Sequence, residues 1–169
     1  MTDENSSDLA LRARAGDQEA FGQLCLRHWS GLVALARSVL IDDAEAEDAV
    51  QDSLVHAWKK LPALRDPAAF SPWLKKSLLR DCIRRAKRRK KKVELSDLEI
   101  AGPPNQSNVD VPGALRTLSP RQRAVLFLGE VQGLEDREIA NLLRLRPSTV
   151  RVHRARARER LQELLGDTS

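Results

Sequence analysis

The sequence predicts an all-α protein: two small helical domains, a bundle and a helix-turn-helix, joined by a flexible linker. Three observations carry this. Ala, Leu, Arg, Glu and Gln dominate, and they favour helix intrinsically, while runs of β-branched residues are few. Apolar residues recur at helical spacing on both sides of one break in pattern. That break, VELSDLEIAGPPNQSNVDVPG from Val93 to Gly113, crowds Pro, Gly, Asn, Ser and acidic residues and keeps no apolar stripe beyond a turn. The 169 residues, 41% of them hydrophobic, suffice for one ordinary domain or two small ones. The domains are placed at 6–92 and 111–167, with 93–110 as the linker.

A short first helix runs from about Asp8 to Ala15 and stops at Gly16. Asp17 then caps a long amphipathic helix whose stripe is Phe21, Leu24, Cys25, His28, Leu32, Leu35, Ala36 and Val39. His28 lies on that stripe, as a packed histidine. Asp42 and Asp43 open the next helix, where acidic residues suit the dipole. Its inner face is Ala46, Ala49, Val50, Ser53, Leu54, Ala57 and Trp58, and Pro62 ends it. Asp66-Pro67 and Ser71-Pro72 each pair a capping residue with Pro at the first helical position. Trp73, Leu74, Ser77, Leu78, Ile83 and Ala86 carry the second of these into RRAKRRKKK.

Within the linker, Ser96 to Ile100 has room for one helical turn. Ser119-Pro120-Arg121-Gln122 is a capping box before a buried helix of Ala124, Val125, Leu126, Phe127, Leu128 and Val131. Gly133 is placed to end that helix in the left-handed region.

Charge is segregated. Arg80 to Lys92 holds nine basic residues and one acidic, and Arg144 to Arg160 holds seven Arg and one Glu. These tracts carry +8 and +6 against a total of +5, which leaves −9 on the rest. Two basic tracts on an otherwise acidic chain suggest two contacts with a polyanion.

Other classes find little support. Cys25 and Cys82 are far apart without partners at ligand spacing, which suits reduced thiols rather than a disulfide or metal site. There is no Gly-rich phosphate loop and no Ser-His-Asp set, and His28, His56 and His153 stand alone. An enzyme, a cofactor, a bound metal and a small-molecule substrate are therefore not expected. MTDENSSD is acidic and polar, unlike a secretory leader, and no apolar run approaches the ~20 residues that cross a bilayer. A cytoplasmic protein without membrane contact is expected.

LEDREIANLLRLRPSTVRVHRARARERL, from Leu134 to Leu161, reads as two short helices with a break between them. Ile139, Ala140, Leu142 and Leu143 give the first an apolar face, and Leu145 plugs the turn. Pro147 starts the second, with Ser148 and Thr149 in the turn that enters a major groove. Val150, Ala157, Leu161, Leu164 and Leu165 face inward. Arg146, Ser148, Thr149, Arg151, His153, Arg156 and Arg158 are the candidate DNA contacts, with Arg160 also able to reach phosphate. Arginine can address guanine or phosphate, and both uses stay open. A pair of basic, solvated helices is the competing reading.

The order of four stretches resembles a bacterial sigma factor of the extracytoplasmic-function (ECF) group of the sigma-70 family. ARAGDQEAFGQLCLRHW resembles the opening of region two. DAEAEDAVQDSLVHAWKKL resembles its polymerase-binding helix, and FSPWLKKSLLRDCIRRAKRR its promoter-melting and −10-reading helix. The stretch from Ala114 to Leu161 resembles region four, which reads the −35 element.

The resemblance implies that the chain binds core RNA polymerase and promoter DNA, and that a separate anti-sigma factor holds it inactive. It assigns polymerase contact to Glu47, Asp48, Gln51 and Asp52. This agrees with the six acidic residues and no basic one from Asp42 to Asp52, a face unsuited to DNA. On the −10 side it assigns Trp73, Lys76, Arg80, Arg84, Arg85, Lys87 and Arg88. Trp73 has two readings, a ring that stacks on bases or a core residue.

The chain departs from the family pattern in several places. Arg80 and Arg84 stand where the family often has Asn and Asp. Arg144 replaces a turn Gly, Glu135 a Ser or Thr cap, and Arg154 an apolar residue. The alternative function is a stand-alone helix-turn-helix regulator whose N-terminal half senses or dimerises.

Overall fold

The computed structural model describes residues 2–95 and 110–166, with side chains from residue 6. Eight α-helices are present among them: α1 (Thr2–Arg14), α2 (Gln18–Leu40), α3 (Asp43–Lys60), α4 (Phe70–Leu95), α5 (Val111–Arg116), α6 (Pro120–Leu126), α7 (Asp136–Leu143) and α8 (Pro147–Gly166). No strand occurs among the described residues. The one-turn helix anticipated over Ser96 to Ile100 lies outside them.

Most boundaries follow local chemistry. Asp17 accepts from the Ala20 N–H and Asp42 from the Glu45 N–H, each satisfying a helix donor that has no partner within the helix. Ser119 and Gln122 form the expected capping box at α6.

Three boundaries differ from expectation. Helix α1 begins at Thr2 rather than Asp8. Ser71-Pro72 is not a helix start. A 3-10 turn, Pro67–Ala69, capped by Asp66, runs straight into Phe70, so Pro72 sits within the first turn of α4. Proline is tolerated there because its missing N–H would have had no partner. Helix α4 also continues to Leu95, past the expected domain edge at 92.

In the N-terminal half α2 is the spine, packed by α1, α3 and α4. Leu24, Leu35, Val39, Val50, Leu61, Leu74, Leu78 and Leu79 are fully buried between them. Arg14 donates to the carbonyls of Leu64 and Arg65, which ties the α3–α4 connection to α1. All three tryptophans lie in this half: Trp29 is packed on the core, Trp58 is paired with Phe21 at 5.0 Å, and Trp73 lies 6.1 Å from Phe70.

In the C-terminal half α8 packs on α5, α6 and α7. Helix α6 widens into a π-turn, Phe127–Val131, and ends near Gly133 at φ +68°, the left-handed stop that the sequence suggested.

The two halves share one hydrophobic cluster. Ala124, Val125, Leu128, Ile139, Ala140, Leu143 and Val150 belong to the same buried set as the core of α1–α4. The junction is made by α2 on α6, α4 on α6 and α4 on α7.

At its centre Arg123, 9% exposed, donates from Nε (2.9 Å) and Nη2 (2.6 Å) to the Val39 carbonyl and from Nη1 (2.7 Å) to that of Leu118. Val39 lies in the last turn of α2, where carbonyls lack a helical partner and the dipole is negative. A guanidinium from one half thus caps a helix of the other. Burial alone lowers the pKa of Arg123, and three carbonyl bonds offset the desolvation of its charge.

Candidate functional site

Helix α3 presents its polar residues on two adjoining faces. Glu47 and Gln51, one turn apart, are exposed. Val55, 56% exposed, continues that face and joins Gln18, Phe21, Leu54 and Trp58 around a shallow apolar hollow. Asp48 and Asp52 face α4. There the Arg85 guanidinium donates to Asp48 (2.9 Å), Asp52 (2.5 Å) and, from its own helix, Asp81 (2.7 Å). A turn further on, Arg89 pairs with Glu45 at 3.0 Å. Burial works against the Arg85 cation, but the bonds to Asp48, Asp52 and Asp81 outweigh it and raise its pKa.

The candidate −10 residues therefore differ in exposure and in partners. Arg84, Lys87 and Arg88 are exposed on α4, whereas Lys76 is half-buried. Trp73 is half-buried and packed on the core beside Phe70. Arg85 is engaged by its three carboxylates, whereas Arg80 is half-buried and its Nε has no hydrogen-bond partner. Arg80 lies at the junction between the halves, where burial and the like charge of Arg144 lower its pKa. Sequence reasoning found the basic residues of α4 by composition. It missed the pairing of Arg85, which depends on the register between two helices.

On the other half, α7 and α8 form the helix-turn-helix. Arg144 occupies the turn at φ +54°, ψ +47°, a left-handed conformation that favours glycine. Leu145 follows, its N–H bonded to the Ala140 carbonyl and its side chain on the core. Glu135 caps α7, and its N–H donates to the Glu138 carboxylate at 2.7 Å. Pro147 is the first residue of α8, and Val150 and Ala157 are buried beneath it.

Arg146, Ser148, Arg151 and Arg156 are exposed, and Thr149 is half-buried. Arg158 is exposed but paired with Glu130, and Arg160 with Glu163. His153 is half-buried. Burial, Arg121 and Arg156 lower its pKa, which disfavours the charged ring in the free chain.

Arg154 is turned inward, within 3.1 Å of Asp136 Oδ1. Buried Arg154 nitrogens and that oxygen make no directed hydrogen bond, so the contact is coulombic. Space for the side chain comes from Gly129 in the π-turn. A Cβ there would collide with Arg154 Nη2. A charged residue thus occupies an apolar position because a glycine and an aspartate from two other elements receive it.

Among the described residues no group of three or more His, Cys, Asp or Glu converges to hold a metal, and no helix is long and apolar enough to cross a membrane. The chemistry on view is electrostatic recognition by two basic helices and one acidic helix.

Known proteins share both modules in this order. Residues 24–92 match sigma-70 region 2, and residues 109–161 match sigma-70 region 4. The chain is 33% identical to the ECF RNA polymerase sigma factor SigM of Mycobacterium tuberculosis, over 97% of this chain and 86% of that protein. Two solved structures resemble the fold. CnrH in complex with the cytosolic domain of CnrY has a TM-score of 0.72 at 33% identity, covering 98% of this chain and 99% of CnrH. RpoE of Bartonella quintana in complex with the anti-sigma factor NepR has 0.68 at 29%, covering 88% and 98%.

Two helical modules with separate basic helices define a transcription-initiation factor. The chain belongs to the sigma-70 family of RNA polymerase sigma factors, in its extracytoplasmic-function group. It binds core polymerase and directs promoter-specific initiation. A region-2 match over residues 24–92 supports the sigma-factor reading over that of a stand-alone regulator.

Proposed function

We propose a division of labour between the helices. The outer face of α3, with Glu47 and Gln51 foremost and Asp48 and Asp52 beside them, docks on core RNA polymerase. Helix α4 follows the opened −10 strands with Arg84, Lys87 and Arg88, joined by Trp73, Lys76, Arg80 and Arg85 once they are released. Helix α8 enters the major groove at −35 with Arg146, Ser148, Thr149, Arg151 and Arg156, and Arg158 reaches the backbone. His153 joins this set. The domains act as residues 6–92 and 111–167.

The observation that carries this reading is the separation of exposed charge, basic on α4 and α8 and acidic on α3. Function rests on binding energy and takes place in the cytoplasm, where polymerase and DNA are. The shared core describes a closed form in which Arg80 is half-buried and feels the charge of Arg144 from the other half. RpoE of Bartonella quintana was captured with an anti-sigma factor, which supports such a protein as the agent that keeps this chain closed.

The test is reconstitution with core RNA polymerase free of any sigma, on a promoter-bearing genomic library. Discrete starts sharing upstream sequence at two spaced elements are expected. Absence of starts, together with no co-migration with polymerase, overturns the assignment.

A further inference from the structure

Arg85 is one guanidinium among three carboxylates. Asp48 and Asp52 come from the helix proposed to dock on polymerase, and Asp81 from the helix proposed to follow DNA. The cluster carries a local charge of −2, in the middle of the basic stretch of α4. The partners differ in access: the Asp48 and Asp52 side chains are 63% and 62% exposed, Arg85 only 21% and Asp81 30%. A cationic partner can therefore reach the two outer carboxylates without moving either helix, whereas DNA cannot use Arg85 while they hold it.

We propose that Arg85 is a positioning residue that couples the two surfaces. In the free chain Asp48 and Asp52 mask the charge of α4 against nucleic acid. When a basic protein surface covers them, the mask is lifted and Arg85 joins the DNA-facing set. The device is electrostatic and local, and it operates within the N-terminal half alone. It is thus separate from the closure of the two halves. The part played by polymerase rests on the docking role proposed above for α3, but the masking does not.

The experiment is a double-mutant cycle on the full chain, read as binding to a fluorescently labelled oligo-dT strand across a salt series without polymerase. Asp48→Asn/Asp52→Asn is expected to tighten binding and steepen the log–log salt slope by about 0.7, the increment for one more single-strand phosphate contact. In an Arg85→Gln background the same pair is expected to leave the slope unchanged. An equal steepening in both backgrounds would mean that only net charge was altered, and the proposal falls.

If Arg85→Gln fails to fold, the Arg85 Nε–H resonance replaces the cycle. It must shift on adding the strand to Asp48→Asn/Asp52→Asn and stay fixed in the native chain, and the opposite pattern overturns the mask. Affinity for core polymerase is measured separately. Undiminished affinity in Asp48→Asn/Asp52→Asn removes these residues from docking and leaves the masking result standing.

Discussion

Arg123 and Val39, 84 residues apart, are joined by two hydrogen bonds from one guanidinium to one helix-terminal carbonyl. The contact makes two sequence modules into one packed body. Arg123→Met removes both bonds and the one to Leu118, leaving buried carbonyls that cost about 1–3 kcal/mol unpaired. Two calorimetric transitions in place of one, and a larger radius of gyration by small-angle scattering, are expected. A single transition at the native temperature would show that apolar contacts alone hold the junction.

Arg144 holds a left-handed conformation that disfavours any side chain by roughly 1–2 kcal/mol. Arg144→Gly removes that cost and the like-charge contact with Arg80, against the extra unfolded-state freedom of glycine. A net gain of about 0.5–1 kcal/mol in urea unfolding follows. Loss of stability in this variant would mean that the Arg144 side chain makes a favourable contact at the junction.

Arg154 lies against Gly129 and pairs with Asp136. Gly129→Ala requires only the far end of the flexible Arg154 side chain to shift, so it should cost little; the ion pair is tested by removing Arg154 itself. Arg154→Leu alone should cost about 1–3 kcal/mol, as expected for a partly buried charge left unpaired, whereas Arg154→Leu with Asp136→Ala should recover most of it. Failure of the second change to rescue the first would show that the ion pair is not what stabilises this corner.

Stability should vary with pH on two limbs. Burial, then Lys75 and Arg27, hold the His28 pKa low, and burial does the same at His153. Both rings stay neutral in the fold, so their contribution is complete above about pH 6.5 and is lost as pH falls through their lowered values. At the alkaline end burial, with Asp81 adding to it, pushes the Cys82 thiol up to about 12. Its contribution is complete below about pH 8.5 and is lost toward pH 12, at up to ~1.4 kcal/mol per pH unit. Urea midpoints across pH should show both limbs. Cys82→Ala should flatten the alkaline one, and native Cys82 should resist thiol reagents at pH 8. Rapid labelling of Cys82 would contradict its burial.

Much of the fold was legible because its signals are local. Asp17, Asp42 and Ser119 cap helices from within four residues, and the stripes of α2 and α3 repeat at a fixed spacing. The exceptions were decided by competition between neighbouring local signals or by contacts that no short window contains. Ser71-Pro72 has the form of a helix start, yet Asp66 supplies the cap and the chain is already turning. Arg85, Arg123 and Arg154 count as basic residues in any composition, and each is spent inside the protein, on Asp48 and Asp52, on Val39, and on Asp136. What distinguishes them from Arg84, Arg151 and Arg156 is the register of one helix against another. Of the candidate polymerase residues, Glu47 and Gln51 turn outward, while Asp48 and Asp52 serve a neighbour as well.

Trp29, Trp58 and Trp73 all precede residue 74, and the chain has no tyrosine. Tryptophan emission is therefore a one-sided optical gauge. It reports the N-terminal bundle directly, and Trp58, beside the apolar hollow on α3, is set to sense whatever settles there. Events on α8 reach it only through the junction. A change in emission on binding duplex DNA at the C-terminal half would thus read out mechanical coupling between the halves, with no added label.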